Sequence, residues 1–191
     1  MSKYVLPKHI AYTRGLADHI NVNFSDSTAQ ALTYEQLCAL SPDNLNSMPL
    51  SYSSVQGDVL LRESIINFHQ NLNCHRQILK ADNAVTFCGA QEALSAIYQA
   101  LLAAGDEIIV LTPSYPFLVA MAKSMGVVVK EIALSADNHW QVGIADFTRL
   151  MTEKTRLIVL NSPHNPTGSI IDSALADQLL ILAKQYQCYL L

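Results

Sequence analysis

The chain has 191 residues, half of them apolar and 15% charged, with a formal net charge of −4. That size and apolar fraction suffice to bury one domain core, and they exclude a disordered or low-complexity chain. Lys and Arg are scattered singly, which argues against nucleic acid or an anionic membrane surface as a partner.

Residues 1 to 15 contain no continuous apolar stretch of the kind a signal peptide needs. No apolar run approaches the ~18 residues of a membrane span. The four cysteines, Cys38, Cys74, Cys88 and Cys188, form no C-x-x-C pair. That usage suits reduced thiols in the cytoplasm better than a disulfide framework or a zinc site.

Residues 1–49 are rich in Asn, Ser, Asp and Thr and read as an N-terminal arm or small-domain segment. Within them Tyr34–Leu40 reads as a short helix capped by Thr33, and Pro42 and Pro49 punctuate the exit. From Gly57 the pattern becomes regular. Asp58–Leu72 has helical spacing of Val59, Leu60, Ile65, Ile66 and Phe68, and Ala84–Phe87 is a short β-prone run. Ala90–Ala104 reads as a helix closed by Gly105, and Glu107–Leu111 as a strand buried on both faces. A helix over Pro116–Met125, stopped by Gly126, leads to a strand over Val127–Ile132. A short helix at Ile144–Met151, a strand at Arg156–Leu160 and a helix at Ser173–Tyr186 follow, and Cys188–Leu191 begins another strand. Alternating strands and helices predict an α/β fold, a mostly parallel sheet with flanking helices.

In open α/β sheets ligands gather at the carboxyl ends of strands, and three junctions lie there. Val85 to Ala93 runs through Gly89 directly into a helix, whose first N–H groups at Ala90 and Gln91 make an anion site. The same residues would also serve as a plain glycine turn. They match neither G-x-G-x-x-G nor a P-loop, which disfavours a dinucleotide or ATP. Leu111 to Phe117 is a Pro-bracketed turn with Tyr115 at its tip, placed either to stack on a planar ligand or to cover the sheet end. Leu160 to Gly168 holds two prolines and a glycine after a strand. It is either a surface loop or a rigid path that points the Asn165 amide into the crevice. His164 has no nearby partner at metal-ligand spacing, so it reads as an ordinary polar residue and no metal is expected.

Five segments together carry a resemblance. They are Tyr52 followed by Gly57 to Arg62, then Thr86 to Ala93, Ala104 to Ile108, Pro113 to Pro116, and Asn161 to Gly168. In this order they resemble the fold type I, class I/II pyridoxal-phosphate enzymes, the aminotransferases above all. That family shows a Tyr before a G-x-x-x-L-R helix, a T-x-G-A-x-E-A turn, a P-G-D-E-V strand, a P-x-Y-P turn and an N-x-P-H-N-P-T-G loop. The match runs from about residue 50 to the end.

The resemblance implies that 50–191 is the first, incomplete part of the large domain that binds pyridoxal 5'-phosphate, preceded by the 1–49 arm. It implies a cofactor phosphate held at Gly89, Ala90 and Gln91, Tyr115 stacked on the pyridine ring and Asn165 bonded to its phenolic oxygen. Tyr52 would reach the phosphate of the neighbouring subunit in a homodimer. The activity implied is amino-group transfer from an amino acid to a 2-oxo acid, in amino acid metabolism or biosynthesis. No lysine of this sequence matches the family's Schiff-base position, which is expected beyond Leu191, so no catalytic residue is assigned within the chain. The expectation is accordingly a truncated form unable to catalyse alone. The alternatives are a non-catalytic cofactor-binding remnant, or a sister reaction on the same scaffold such as a C–S β-lyase.

Overall fold

The computed structural model describes Val22, residues 29–40, Pro49, residues 51–71 and residues 78–191. The chain forms two compact units, one within Lys8–Phe87 and the other built on Cys88–Leu191.

In the first unit, α1 spans Tyr34–Leu40 and α2 spans Val59–Asn71. Thr33 and Gln36 close a reciprocal cap at the start of α1: the Gln36 N–H donates to Thr33 Oγ1 and the Thr33 N–H to Gln36 Oε1. Asp58 accepts from the Leu61 N–H at the start of α2. The G-x-x-x-L-R pattern has a structural cause here. Gly57 sits at φ +94°, and a Cβ there would fall 1.8 Å from Thr86 Oγ1, so only glycine fits. Arg62 is buried, and its guanidinium donates to the carbonyls of Gly57 and Ala81. The strand expected at Ala84–Phe87 does not form. Among the described residues its β-prone stretch finds no neighbouring ladder, and the Thr86 N–H donates to the Gln56 carbonyl.

The second unit is a four-stranded sheet of order β2-β1-β3-β4, with β1 at Glu107–Thr112, β2 at Val128–Ala133, β3 at Thr155–Val159 and β4 at Tyr189–Leu190. Every pairing is parallel. The helices are α3 (Ala90–Leu101), α4 (Pro116–Ser124), α5 (Ile144–Thr148) and α6 (Ser173–Gln185).

The twofold alternation of side chains along β1 divides the core in two. Ile108 and Val110 face Tyr98, Leu102, Leu118 and Ala122 of the α3 and α4 layer. Ile109 and Leu111 face Phe147, Met151, Leu179 and Leu182 of the α5 and α6 layer. Burial on both faces explains why Glu107–Leu111 and Arg156–Leu160 read as continuous apolar runs rather than alternating ones.

At the amino ends of the strands a polar cluster closes the sheet. Glu107 Oε2 takes Lys130 Nζ at 2.6 Å, the Thr152 hydroxyl and Thr155 Oγ1 at 3.4 Å. Lys130 also donates to the Leu150 carbonyl. Burial pushes the Glu107 pKa up, but Lys130, Thr152 and Thr155 outweigh that and hold it below its ordinary 4.5. No described helix is long and apolar enough to cross a membrane, and no described cluster of His, Cys, Asp or Glu could hold a metal ion.

Candidate functional site

The carboxyl ends of β1 and β3 and the start of α3 open onto one cleft of about 520 Å³. Its walls include Ala90, Leu94, Tyr115, Asn161, Asn165 and Leu191. Three of the sequence-assigned residues, Ala90, Tyr115 and Asn165, therefore meet in one place although 75 positions separate the first from the last.

Gly89 makes the entry to α3 possible. Its φ of +104° is open to glycine, and nothing lies within 4 Å of where its Cβ would be. The chain turns there without a side-chain cap. The first helical carbonyl bond is Ala93 N–H to Gly89, and the N–H groups of Ala90, Gln91 and Glu92 have no partner among the described residues. Three such donors at the positive end of a 12-residue helix are the kind of groups that hold an anion. Glu92 folds its carboxylate back onto the Cys88 N–H at 2.6 Å, which braces the turn.

Tyr115 is the residue preceding α4, with Pro116 at the first helical position, where its fixed φ suits the helix and its missing N–H costs nothing. The Gln91 side-chain amide donates to the Tyr115 hydroxyl, which ties the start of α3 to the turn before α4, although Gln91 itself is not among the residues lining the cleft. Tyr98 is fully buried and donates its hydroxyl to the Leu118 carbonyl at 3.0 Å, tying α3 to the first turn of α4. Loss of water around that hydroxyl pushes its pKa up to about 12.

The loop after β3 is held by its own polar side chains. The Asn165 N–H donates to Asn161 Oδ1 at 2.8 Å, the Ile171 N–H to Ser162 Oγ at 3.0 Å, and the Gly168 N–H to the His164 carbonyl at 2.7 Å. Peptide bonds Thr112–Pro113, Ser162–Pro163 and Asn165–Pro166 are cis.

His164 is the residue that sequence reasoning undervalued. It is only 4% exposed, and its Nε2 lies 2.8 Å from the Pro113 carbonyl oxygen. Its Nδ1 is buried without a partner. The motif string carried its position, but nothing local in sequence showed a contact across 51 positions.

Tyr52 lies in the Lys8–Phe87 unit and is fully exposed. None of the described lysines borders the cleft.

The class I and II aminotransferase family model matches residues 20–191. Arginine–pyruvate transaminase of Pseudomonas aeruginosa is 32% identical over 149 residues, covering 78% of this chain and 37% of that protein. Methionine aminotransferase of Escherichia coli is 37% identical over 123 residues, covering 64% and 31% respectively. The chain thus spans about a third of the length of these curated relatives. Among solved structures, a PLP-dependent aminotransferase from Streptococcus suis superposes with a TM-score of 0.71 at 26% identity, over 83% of this chain and 42% of that one. An alanine aminotransferase from Pyrococcus furiosus gives 0.68 at 30% identity, over 73% and 35%. Five motifs in order, a parallel sheet of this topology and a family match over nearly the whole length lead to one conclusion: the chain belongs to the class I and II aminotransferases.

Proposed function

We propose that this chain supplies the phosphate-holding and ring-holding half of a pyridoxal 5'-phosphate site in a cytoplasmic aminotransferase that moves an amino group from an amino acid to a 2-oxo acid. The observation that carries the reading is the cleft itself, bordered by Ala90 at the open start of α3, by Tyr115 and by Asn165.

The residues present fit the cofactor. The N–H groups of Ala90 and Gln91, aided by the α3 terminus and the room left by Gly89, hold a phosphate dianion. Tyr115 offers its ring face to the pyridine, and Gln91 fixes that ring through its hydroxyl. Asn165, on the wall of the cleft, would offer its amide to the ring oxygen. The apolar walls at Leu94, Ile97 and Leu118 exclude water from the ring and strengthen each of these polar contacts. The bound cofactor supplies an electron sink for the α-carbon of the amino acid. Proton movement at that carbon is assigned to no residue of this chain, since no described lysine reaches the cleft. Exposed Tyr52 is suited to reach the phosphate of a neighbouring subunit in a homodimer, with residues 50–191 forming the cofactor-binding part and 1–49 the arm.

The test is a titration of the purified chain with pyridoxal 5'-phosphate, pyridoxal, ATP and NAD, read by intrinsic fluorescence and a thermal melt. Pyridoxal phosphate should bind, pyridoxal more weakly because it lacks the phosphate, and the nucleotides not detectably. Binding of a nucleotide without binding of pyridoxal phosphate overturns the reading.

A further inference from the structure

We infer that His164 is a positioning residue: it joins the loop carrying Asn165 to the turn carrying Tyr115 and so sets the spacing between the two groups that hold the cofactor ring. The inference rests on the cofactor reading above for its function, but its geometry stands without it.

Pro113 has no N–H, so its backbone can enter a hydrogen bond only through its carbonyl. The carbonyl oxygen accepts and never donates; the 2.8 Å contact therefore requires a proton on His164 Nε2. The residue is buried to 4% exposure, where water cannot replace the bond if it is lost. Pro113 lies two residues before Tyr115, and His164 one residue before Asn165. The imidazole is thus a rigid strut between the Tyr115 turn and the Asn165 loop.

Its own backbone is fixed at both ends, the N–H on the Ser169 carbonyl and the carbonyl on the Gly168 N–H. A strut of that kind transmits any displacement of one loop to the other. The unpartnered Nδ1 argues against a merely structural filler. An apolar ring of equal shape would avoid an orphaned buried acceptor, and only the Nε2 donor explains keeping a histidine there.

The backbone N–H groups of Ala90 and Gln91 have no part in this bond, and because Gln91 meets Tyr115 through its side chain, the Ala90 N–H is the probe that separates the two effects. His164→Phe keeps the ring and removes the donor. His164→Gln places an amide N–H at the reach of Nε2, and His164→Asn places one only at the reach of Nδ1. Two readouts apply to the 191-residue chain.

Without ligand, NMR of histidine-labelled protein should show the Nε2–H form of His164. Tyr115 ring and Asn165 amide resonances should shift in the Phe and Asn variants and stay near wild type in the Gln variant. With ligand, the Phe and Asn variants should bind pyridoxal phosphate roughly fivefold more weakly, the effect of one net hydrogen bond. Gln should restore binding, and the inorganic phosphate shift at the Ala90 amide should be the same in all four proteins.

Unmoved Tyr115 and Asn165 resonances in folded His164→Phe overturn the proposal. So does an equal loss of inorganic phosphate binding, and so does a Gln variant no better than Asn. A wild-type chain that binds phosphate but not pyridoxal phosphate overturns the cofactor reading instead, and the ligand-free spectra then decide the role of His164.

Discussion

Replacing Tyr98 by Phe should destabilise the Cys88–Leu191 unit at neutral pH and leave it equal to wild type near about pH 11, where the linkage below balances one hydrogen bond. The side chain is fully buried, and its hydroxyl makes one bond, to the Leu118 carbonyl at 3.0 Å. Phe keeps the packing and deletes that bond, a net loss of about 1 kcal/mol. The alkaline limb follows from the hydroxyl's raised pKa, about 12 folded against about 10 unfolded. Because the folded value is the higher, the contribution is complete below pH 10 and is withdrawn as pH rises from 10 through 12. Halfway along, wild type has lost about 1 kcal/mol that the Phe variant never had to lose. Urea unfolding followed by circular dichroism at pH 8 and near pH 11 should therefore show a gap that closes. A gap that persists unchanged into the alkaline range would mean that the hydroxyl is solvated and that Tyr98 does not tie α3 to α4.

Glu107→Gln should cost about 2 kcal/mol, since it leaves Lys130 partly buried without its charge partner; a thermal melt at pH 7 measures it. The folded carboxyl sits below its ordinary 4.5, so its contribution is present above that pH and lost as pH falls below it. The acid limb should be steeper in wild type than in the Gln variant. Ala90→Pro occupies the first helical position, where proline is tolerated, and removes one unpaired N–H. It should weaken pyridoxal phosphate by roughly tenfold, the worth of a hydrogen bond to a charged group, whereas Asn165→Ala should cost roughly fivefold. The reverse ranking in a binding titration would move the main contact from the phosphate to the ring. Borohydride reduction of the chain mixed with pyridoxal phosphate should label no single lysine stoichiometrically, because none of the described lysines borders the cleft; mass spectrometry of the digest decides it.

The architecture was legible because its determinants are local. Apolar runs at Glu107–Leu111 and Arg156–Leu160 require cover on both faces, and the structure supplies it. Gly89, Gly105 and Gly126 mark real turns, each at positive φ. Element ends moved by one to three residues, the largest shifts at the carboxyl ends of the helices starting at Ala90 and Ile144. Ala84–Phe87 failed for a nonlocal reason: β propensity needs a partner strand, and among the described residues the segment finds only isolated backbone bonds, Ala84 to the Ala81 carbonyl and Thr86 to that of Gln56. The site was legible as motifs but not as contacts. Nothing in the sequence near Gln91 announces the Tyr115 hydroxyl, and nothing near His164 announces Pro113. Such bonds follow from the order in which parallel strands are laid side by side.

That order also separates stability from binding along β1. The Ala104 to Ile108 segment opens the strand and the Pro113 to Pro116 segment leaves it, so two motifs flank one six-residue strand. At about 3.3 Å per residue its ends lie roughly 17–20 Å apart. The amino end carries the Glu107 cluster, with Asp106 near Arg156 at 3.5 Å, and the carboxyl end carries the turn to Tyr115. Charges that far apart are screened by more than one Debye length of about 8–10 Å, and substitutions with no shared partner act additively. Glu107→Gln should therefore lower the melting temperature while leaving pyridoxal phosphate affinity within roughly twofold of wild type, and its stability loss should add to that of Ala90→Pro within about 0.5 kcal/mol. A Glu107→Gln protein that remains folded yet loses cofactor affinity tenfold would show that the sheet transmits strain along β1, and the division between a stabilising end and a binding end would have to be abandoned.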